Sequence, residues 1–130
     1  MEGVFKLLKF DDKGLIPAII QDEKTKGVLT LCYMNAEALR KTLEEGVVYV
    51  YRRSKAMLMK KGGTSGCIQR VKALYIDCEG NSLLFAVDQE RGACHEGYFT
   101  CYFRQINKDG SVKVMGKRIF DPKEVYKKSS

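Results

Sequence analysis

Short apolar runs separated by polar turns dominate this chain, and one stretch stands apart with a helical period. Leu15 to Gln21 and Val28 to Met34 are nearly continuous in apolar residues. Runs of that length, bounded by turn residues, read as buried strands. The intervening Asp22-Glu23-Lys24-Thr25-Lys26-Gly27 suits a hairpin connection. From Asn35 the pattern changes. Ala36, Leu39 and Leu43 recur on one helical face, Asn35 can cap that helix, and Gly46 stands where a left-handed residue would end it. Val47 to Tyr51 is β-branched and aromatic, hence a strand, and Met57-Leu58-Met59 gives a second short apolar piece.

Further along, Val71 to Cys78 and Ser82 to Val87 flank Glu79-Gly80-Asn81, a strong hairpin-turn signal. Tyr98 to Ile106 and Val112 to Phe120 form a last candidate pair around Asn107-Lys108-Asp109-Gly110. At the start, Val4 to Phe10 alternates and reads as an edge strand or a lead-in segment, ahead of the turn Asp11-Asp12-Lys13-Gly14. Near the other terminus, Asp121-Pro122-Lys123-Glu124-Val125 suits the start of a short helix. The sum is a strand-rich α+β fold with one main helix, expected to form a single domain over residues 1–130.

Composition narrows the class. Hydrophobic residues at 45% and charged residues at 30% are ordinary for a globular protein. No apolar stretch reaches the length of a membrane-spanning helix. Met1-Glu2-Gly3-Val4 lacks the basic-then-apolar order of a secretory signal, so a cytoplasmic location is the expectation. Five cysteines, an odd number without such a signal, argue against a disulfide scaffold. Cys32, inside an apolar run, reads as a small buried hydrophobe. The net charge of +7 favours anionic partners, without choosing between a nucleotide and a polynucleotide.

The single histidine, His95, directly follows Cys94, and Cys101 lies six residues beyond it. With Cys78 upstream, three thiols and one imidazole fall within 24 residues. Such a set can supply a tetrahedral zinc site, or three ligands beside a proton carrier. The spacing matches no common zinc finger, so reduced, buried cysteines and a solvated histidine remain the competing explanation. On a strand, Asp77 and Glu79 would share one face with Cys78 on the other, and Asn81 could rejoin the oxygen side through the turn. Those three oxygen ligands would suit magnesium, although a plain polar hairpin explains them too. The loop Lys60 to Gly66 places three glycines, two hydroxyls and two lysines together, which can cradle an anion but is not in P-loop order.

Taken together these pieces resemble the phosphoribosyl-AMP cyclohydrolases of histidine biosynthesis. The resemblance rests on Leu15-Ile16-Pro17-Ala18-Ile19-Ile20-Gln21-Asp22, Tyr33-Met34-Asn35-Ala36-Glu37-Ala38-Leu39 and Gly62-Gly63-Thr64-Ser65-Gly66. It continues through Gln69-Arg70-Val71, Asp77-Cys78-Glu79-Gly80-Asn81, Ala93-Cys94-His95-Glu96-Gly97 and Cys101-Tyr102-Phe103-Arg104. It implies an intertwined homodimer with active sites at the subunit interface. It also implies zinc held across the dimer by Cys78, Cys94 and Cys101, and a second, magnesium site at Asp77, Glu79 and Asn81. The implied substrate is an adenine nucleotide with two phosphoribosyl groups, held in part by Thr64, Ser65, Gly66 and Arg70. Water activated by zinc would attack C6, the N1–C6 bond would break, and His95 would carry a proton.

The chain departs from the family pattern at several points. Glu79 and Asn81 stand where aspartates are usual, Tyr51 and Met59 replace tryptophans, Gly63 replaces an acidic residue and Arg52 a serine. The chain has no tryptophan at all. Three readings follow. The leading one is a zinc cyclohydrolase. The second is a divergent zinc hydrolase acting on another nucleotide or purine-like heterocycle. The third is a non-catalytic, zinc-stabilised dimer that binds nucleic acid, with Tyr98, Phe99, Tyr102 and Phe103 as candidate stacking residues. Alternation would bury about half of those aromatics, which counts against it.

Overall fold

The computed structural model describes residues 2–54, 56–61, 68–89 and 98–116. In chain order the elements are α1 (Glu2–Leu7), β1 (Ile16–Asp22), β2 (Val28–Met34), α2 (Ala36–Glu45), β3 (Tyr49–Arg52), β4 (Met57–Lys60), β5 (Gln69–Ile76), β6 (Leu83–Gln89), β7 (Arg104–Ile106) and β8 (Val112–Val114). The architecture is α+β. A four-stranded sheet runs in the order β2-β1-β6-β5, with two separate two-stranded ribbons, β3-β4 and β7-β8.

Alternation along β1 buries Ile16, Ala18, Ile20 and Asp22 and leaves the intervening side chains half-buried. β1 pairs antiparallel with β2 and parallel with β6, which in turn pairs antiparallel with β5. Ile16, Ile20, Leu29, Met34, Leu39, Val48, Leu83, Phe85 and Val87 close the core. Each such side chain contributes about 1.5–3 kcal/mol by leaving water.

α2 is capped as its sequence requires. The Asn35 side chain accepts from the Ala38 amide at 2.8 Å, and Gly46 ends the helix at φ 74° with its N–H on the Thr42 carbonyl. Its buried face differs from the expected one: Ala38, Leu39 and Thr42 are covered, Leu43 packs partly against the core, and Ala36 is exposed. Thr42 earns its burial through hydrogen bonds. Its hydroxyl donates to the Ala38 carbonyl at 2.8 Å and accepts from the Tyr49 amide at 2.9 Å, tying the helix to β3.

Two further expectations are corrected. Of the two readings of Val4 to Phe10 the edge strand falls and the lead-in segment stands: it begins as α1, and Val4, Phe5 and Phe10 pack against the core with Leu8 inside it. The spacing Val4, Phe5, Leu8 is helical, and the apparent alternation concealed it. The last strand pair is also shorter than its apolar pattern. Residues 98–103 are bends anchored to β2 and not a strand of this pair, and among the described residues 104–106 pair with 112–114. The expected terminal helix at Asp121 lies outside the described residues.

Candidate functional site

The two ends of the sheet carry different parts of the candidate chemistry. At one end Gln69 and Gln89 are register partners, the first residue of β5 against the last of β6. The Gln69 side-chain amide donates to Gln89 Oε1 at 2.9 Å, and the Gln89 amide donates to the Phe99 carbonyl at 2.9 Å. Gln69 is wholly buried, and its own Oε1 has no hydrogen-bond donor. The Gln69 carbonyl also accepts from the Val48 amide, whose carbonyl accepts from Lys61. The glycine-rich loop therefore leaves and rejoins the fold beside Val48. The segment holding Cys94 and His95 leaves it at Gln89.

The same end fixes Cys101. Its amide donates to the Leu29 carbonyl at 2.7 Å, and the Thr100 hydroxyl reaches the Val28 and Leu29 carbonyls at 2.7 and 3.1 Å. Thr100 Oγ1 also accepts from the Tyr102 amide at 3.0 Å. Tyr98 stacks on Phe103 with centroids 3.9 Å apart and planes 6° off parallel. These bonds hold Cys101, half-buried, against the β2 edge. Cys32 is a close neighbour of a different character. Burial pushes its thiol up to about 12, Lys61 opposes that in part, and Cys101 adds to it. Cys32 therefore keeps its proton near neutrality, with Sγ 3.6 Å from the Ala18 carbonyl, as expected of a packed hydrophobe.

At the other end, the turn between β5 and β6 carries Cys78, exposed. The strand-alternation argument for its neighbours fails, because β5 ends at Ile76 and residues 77–82 turn. Asp77 closes that turn. Its Oδ1 accepts from the Asn81 amide at 2.8 Å and its Oδ2 from the Ser82 hydroxyl at 2.9 Å. Desolvation raises the Asp77 pKa, but the bonds from Asn81, Ser82 and Gly80 outweigh it and hold the carboxyl below its usual value. Gly80 sits at φ 74°, and a Cβ there would run into the Leu7 carbonyl oxygen. The Gly80 carbonyl accepts from the Lys9 amide at 2.7 Å, so the N-terminal segment lies directly on this turn.

Cys78 and Cys101 are thus not neighbours within one chain. Cys101 is held on β2, while Cys78 joins β5 to β6, with β1 between. At about 4.8 Å per strand step the separation is about 10 Å or more. Two thiolates on one zinc lie within about 4 Å, given bonds of about 2.3 Å. Among the described residues no three His, Cys, Asp or Glu side chains gather as a metal would need. Asp77 spends both oxygens on the turn, while Glu79 and Asn81 are exposed, so this trio makes a poor magnesium cradle. Arg70 lies exposed on β5 opposite Asp88. Cys94, His95, Thr64, Ser65 and Gly66 lie outside the described residues.

Several contributors were not foreseen. Gln89 and Thr100 have no metal-binding or catalytic signature, and polar residues at a strand end read as solvated until their partners are known. Arg53, whose guanidinium lies 4.1 Å from the Tyr33 ring centroid, gave no signal either. The aromatic cluster is mostly used internally: Tyr98 and Phe103 pair, Phe99 packs on the core, and Tyr102 is exposed.

Known proteins share much of this sequence. Residues 30–103 match the family model described as phosphoribosyl-AMP cyclohydrolase. A phosphoribosyl-AMP cyclohydrolase of Pelotomaculum thermopropionicum is 48% identical, over 93% of this chain and 94% of its own. One from Chlorobium phaeovibrioides is 46% identical over 98% and 96%, and one from Methanospirillum hungatei 48% over 94% and 90%. By family model and by near full-length identity, the chain belongs to the phosphoribosyl-AMP cyclohydrolase family.

Proposed function

We propose that this protein opens the adenine ring of phosphoribosyl-AMP in histidine biosynthesis, as a zinc-dependent homodimer with its sites between the two copies. The carrying observation is identity of 46–48% to relatives bearing that name, sustained over more than nine-tenths of this chain. The departures at Tyr51, Met59, Glu79 and Asn81 sit within that continuous similarity, and no observation favours another heterocycle. The nucleic-acid reading loses support because Tyr98 and Phe103 stack on each other.

The two-copy site is supported by the separation of Cys78 from Cys101. Three soft thiol donors suit zinc, and Cys78 can meet Cys101 on one ion if they come from different chains. Cys78, Cys94 and Cys101 would hold the ion. Bound there, zinc would supply Lewis-acid polarisation and make water acidic enough to react near neutral pH. In the net reaction water's oxygen ends on C6, the N1–C6 bond breaks, and one proton ends on N1 and one on the exocyclic nitrogen. His95 is proposed to move the proton to N1, a task suited to an imidazole. Thr64, Ser65, Gly66 and Arg70 are proposed to hold the phosphoribosyl phosphates. Magnesium at Asp77, Glu79 and Asn81 would need the turn to give up hydrogen bonds, so weak binding is expected there.

The test is ring opening of phosphoribosyl-AMP, followed spectroscopically with the zinc-loaded protein. Turnover lost by about 10²-fold or more in His95→Ala, with zinc retained, supports the assignment. No turnover by a folded, zinc-loaded dimer would remove it.

A further inference from the structure

A buried amide with an unanswered oxygen is a cost to the fold, and this chain carries one close to a candidate zinc ligand. Gln69 is wholly buried, and among the described residues no donor reaches its Oε1. That oxygen has given up its hydrogen bonds to water and gained none in return. Its neighbours explain the burial without relieving it. Val48 stands opposite Gln69, one step along from the Val47–Arg70 bridge, and is itself wholly buried. Its amide donates to the backbone carbonyl of Gln69 at 3.1 Å and leaves the side chain alone. An apolar side chain of similar volume would fill this position with no oxygen left unpaired. Core stability alone therefore does not account for a glutamine here.

What Gln69 does make is the head of a chain of amides. Its Nε2 donates to Gln89 Oε1 at 2.9 Å, and Gln89 Nε2 donates to the Phe99 carbonyl at 2.9 Å. Oxygen and nitrogen of one amide group move together, so holding the Gln89 oxygen also aims its N–H. Gln89 is half-buried and, without Gln69, could turn toward water. Phe99 lies two residues before Cys101. The Thr100 hydroxyl and the Cys101 amide tie that stretch to the Val28 and Leu29 carbonyls of β2. Gln89 ties it to β6. Anchors on two strands fix both the position and the tilt of the bend, whereas one anchor leaves a rotation free. We infer that Gln69 is a positioning residue for the zinc site, setting the placement of Cys101 through Gln89 and the Phe99 carbonyl. This rests on Cys101 being a zinc ligand, as proposed above. Groups that orient metal ligands from behind change metal affinity or activity by about 10–100-fold when removed. Gln69 acts through two intermediates, which places it at the lower end.

The test is Gln69→Met in the full chain. Zinc affinity is read by competition with a chromophoric chelator, and cobalt(II) is put in place of zinc so that its absorption bands report the ligand geometry. The variant is expected to bind zinc about tenfold more weakly, with displaced cobalt bands. Its thermal midpoint should be unchanged or raised, because the unpaired oxygen is gone. Unaltered zinc affinity and cobalt bands, whatever the midpoint, would overturn the inference and make Gln69 a part of the core alone. Should Gln69→Met not fold, Gln89→Glu gives an independent reading at a half-buried position. It keeps the acceptor for Gln69 and removes the donor to Phe99, so the same weakening and displacement are expected, and their absence would overturn the inference. These results differ from a failure of the zinc site itself. An unsubstituted protein that takes up no zinc, or a Cys101→Ser variant that keeps it all, would overturn the ligand assignment and the positioning role together.

Discussion

The two ends of the central sheet hold their loops by opposite means. At the Gln69–Gln89 end, the amides of a buried Gln69 and a half-buried Gln89 pass hydrogen bonds from β5 through β6 to Phe99. At the Cys78 end, an exposed carboxylate folds the chain back on itself, and a glycine with left-handed backbone admits the N-terminal segment. The first is indifferent to pH and vulnerable to loss of shape. The second is open to water and sensitive to charge. Among the described residues each end presents one candidate zinc ligand, Cys101 at the first and Cys78 at the second, so the difference bears on which thiol is positioned rigidly and which can adjust.

The strongest break falls on the thiols. Cys78→Ser and Cys101→Ser are each expected to lower zinc content about tenfold or more by elemental analysis, and to remove activity with it. Full zinc retention in either variant would take that thiol out of the ligand set. Gly80→Ala should come next, destabilising the chain by about 2–4 kcal/mol in denaturant unfolding, because a side chain there meets both an unfavourable φ and the Leu7 carbonyl. An unchanged midpoint would mean that the N-terminal segment is not seated on the turn.

Gln89→Leu sharpens the comparison at the other end. It leaves the Gln69 amide and the Phe99 carbonyl without their partner, at about 1–3 kcal/mol, and hydrogen exchange of residues 98–103 should quicken. Exchange confined to its original rate would show that Thr100 and Cys101 hold the bends alone. The smallest effect is one of pH. The Asp77 carboxyl is held below its usual value, so its contribution is complete above the unfolded value of about 3.9 and fades as pH falls through the folded one. Asp77→Asn should flatten the acid limb of the melting temperature. It should leave the neutral limb almost flat, as in the unsubstituted protein.

Much of this layout could be read from the residues. The α2 caps, the Glu79-Gly80-Asn81 turn and the β1-β2 hairpin are local signals, set by Asn35, Gly46 and Gly80, and the structure keeps all of them. Local pattern failed where two periods overlap. Val4, Phe5, Leu8 and Phe10 satisfy a strand loosely and a helix at three positions, and contact with the core decided for the helix. It failed again at Asp77, where the side chain's hydrogen bonds to the turn displaced the alternation that would have aligned it with Glu79. The family resemblance named Cys78, Cys94 and Cys101, yet no spacing rule could show that Cys78 and Cys101 stand on separate parts of one sheet. That separation comes from the crossover that sets β6 beside β1. Gln89 and Thr100 were illegible for a related reason: their bonds reach residues 10 and more than 70 positions away.

The parallel pairing of β1 with β6 also governs when the protein can fold. Ala18 to Asp22 find their partners at Leu83 to Val87, so no core strand pair on that side forms until most of the chain exists. The β1-β2 hairpin and α2 can appear early on a ribosome, but with Ile16 and Ile20 uncovered on the side where Leu83, Phe85 and Val87 belong. Contacts of such sequence separation slow folding and lengthen the exposure of apolar strands. A nascent chain that has emerged without Leu83 to Gln89 is thus an aggregation hazard, whereas one that has emerged past Gln89 holds every strand of its central sheet.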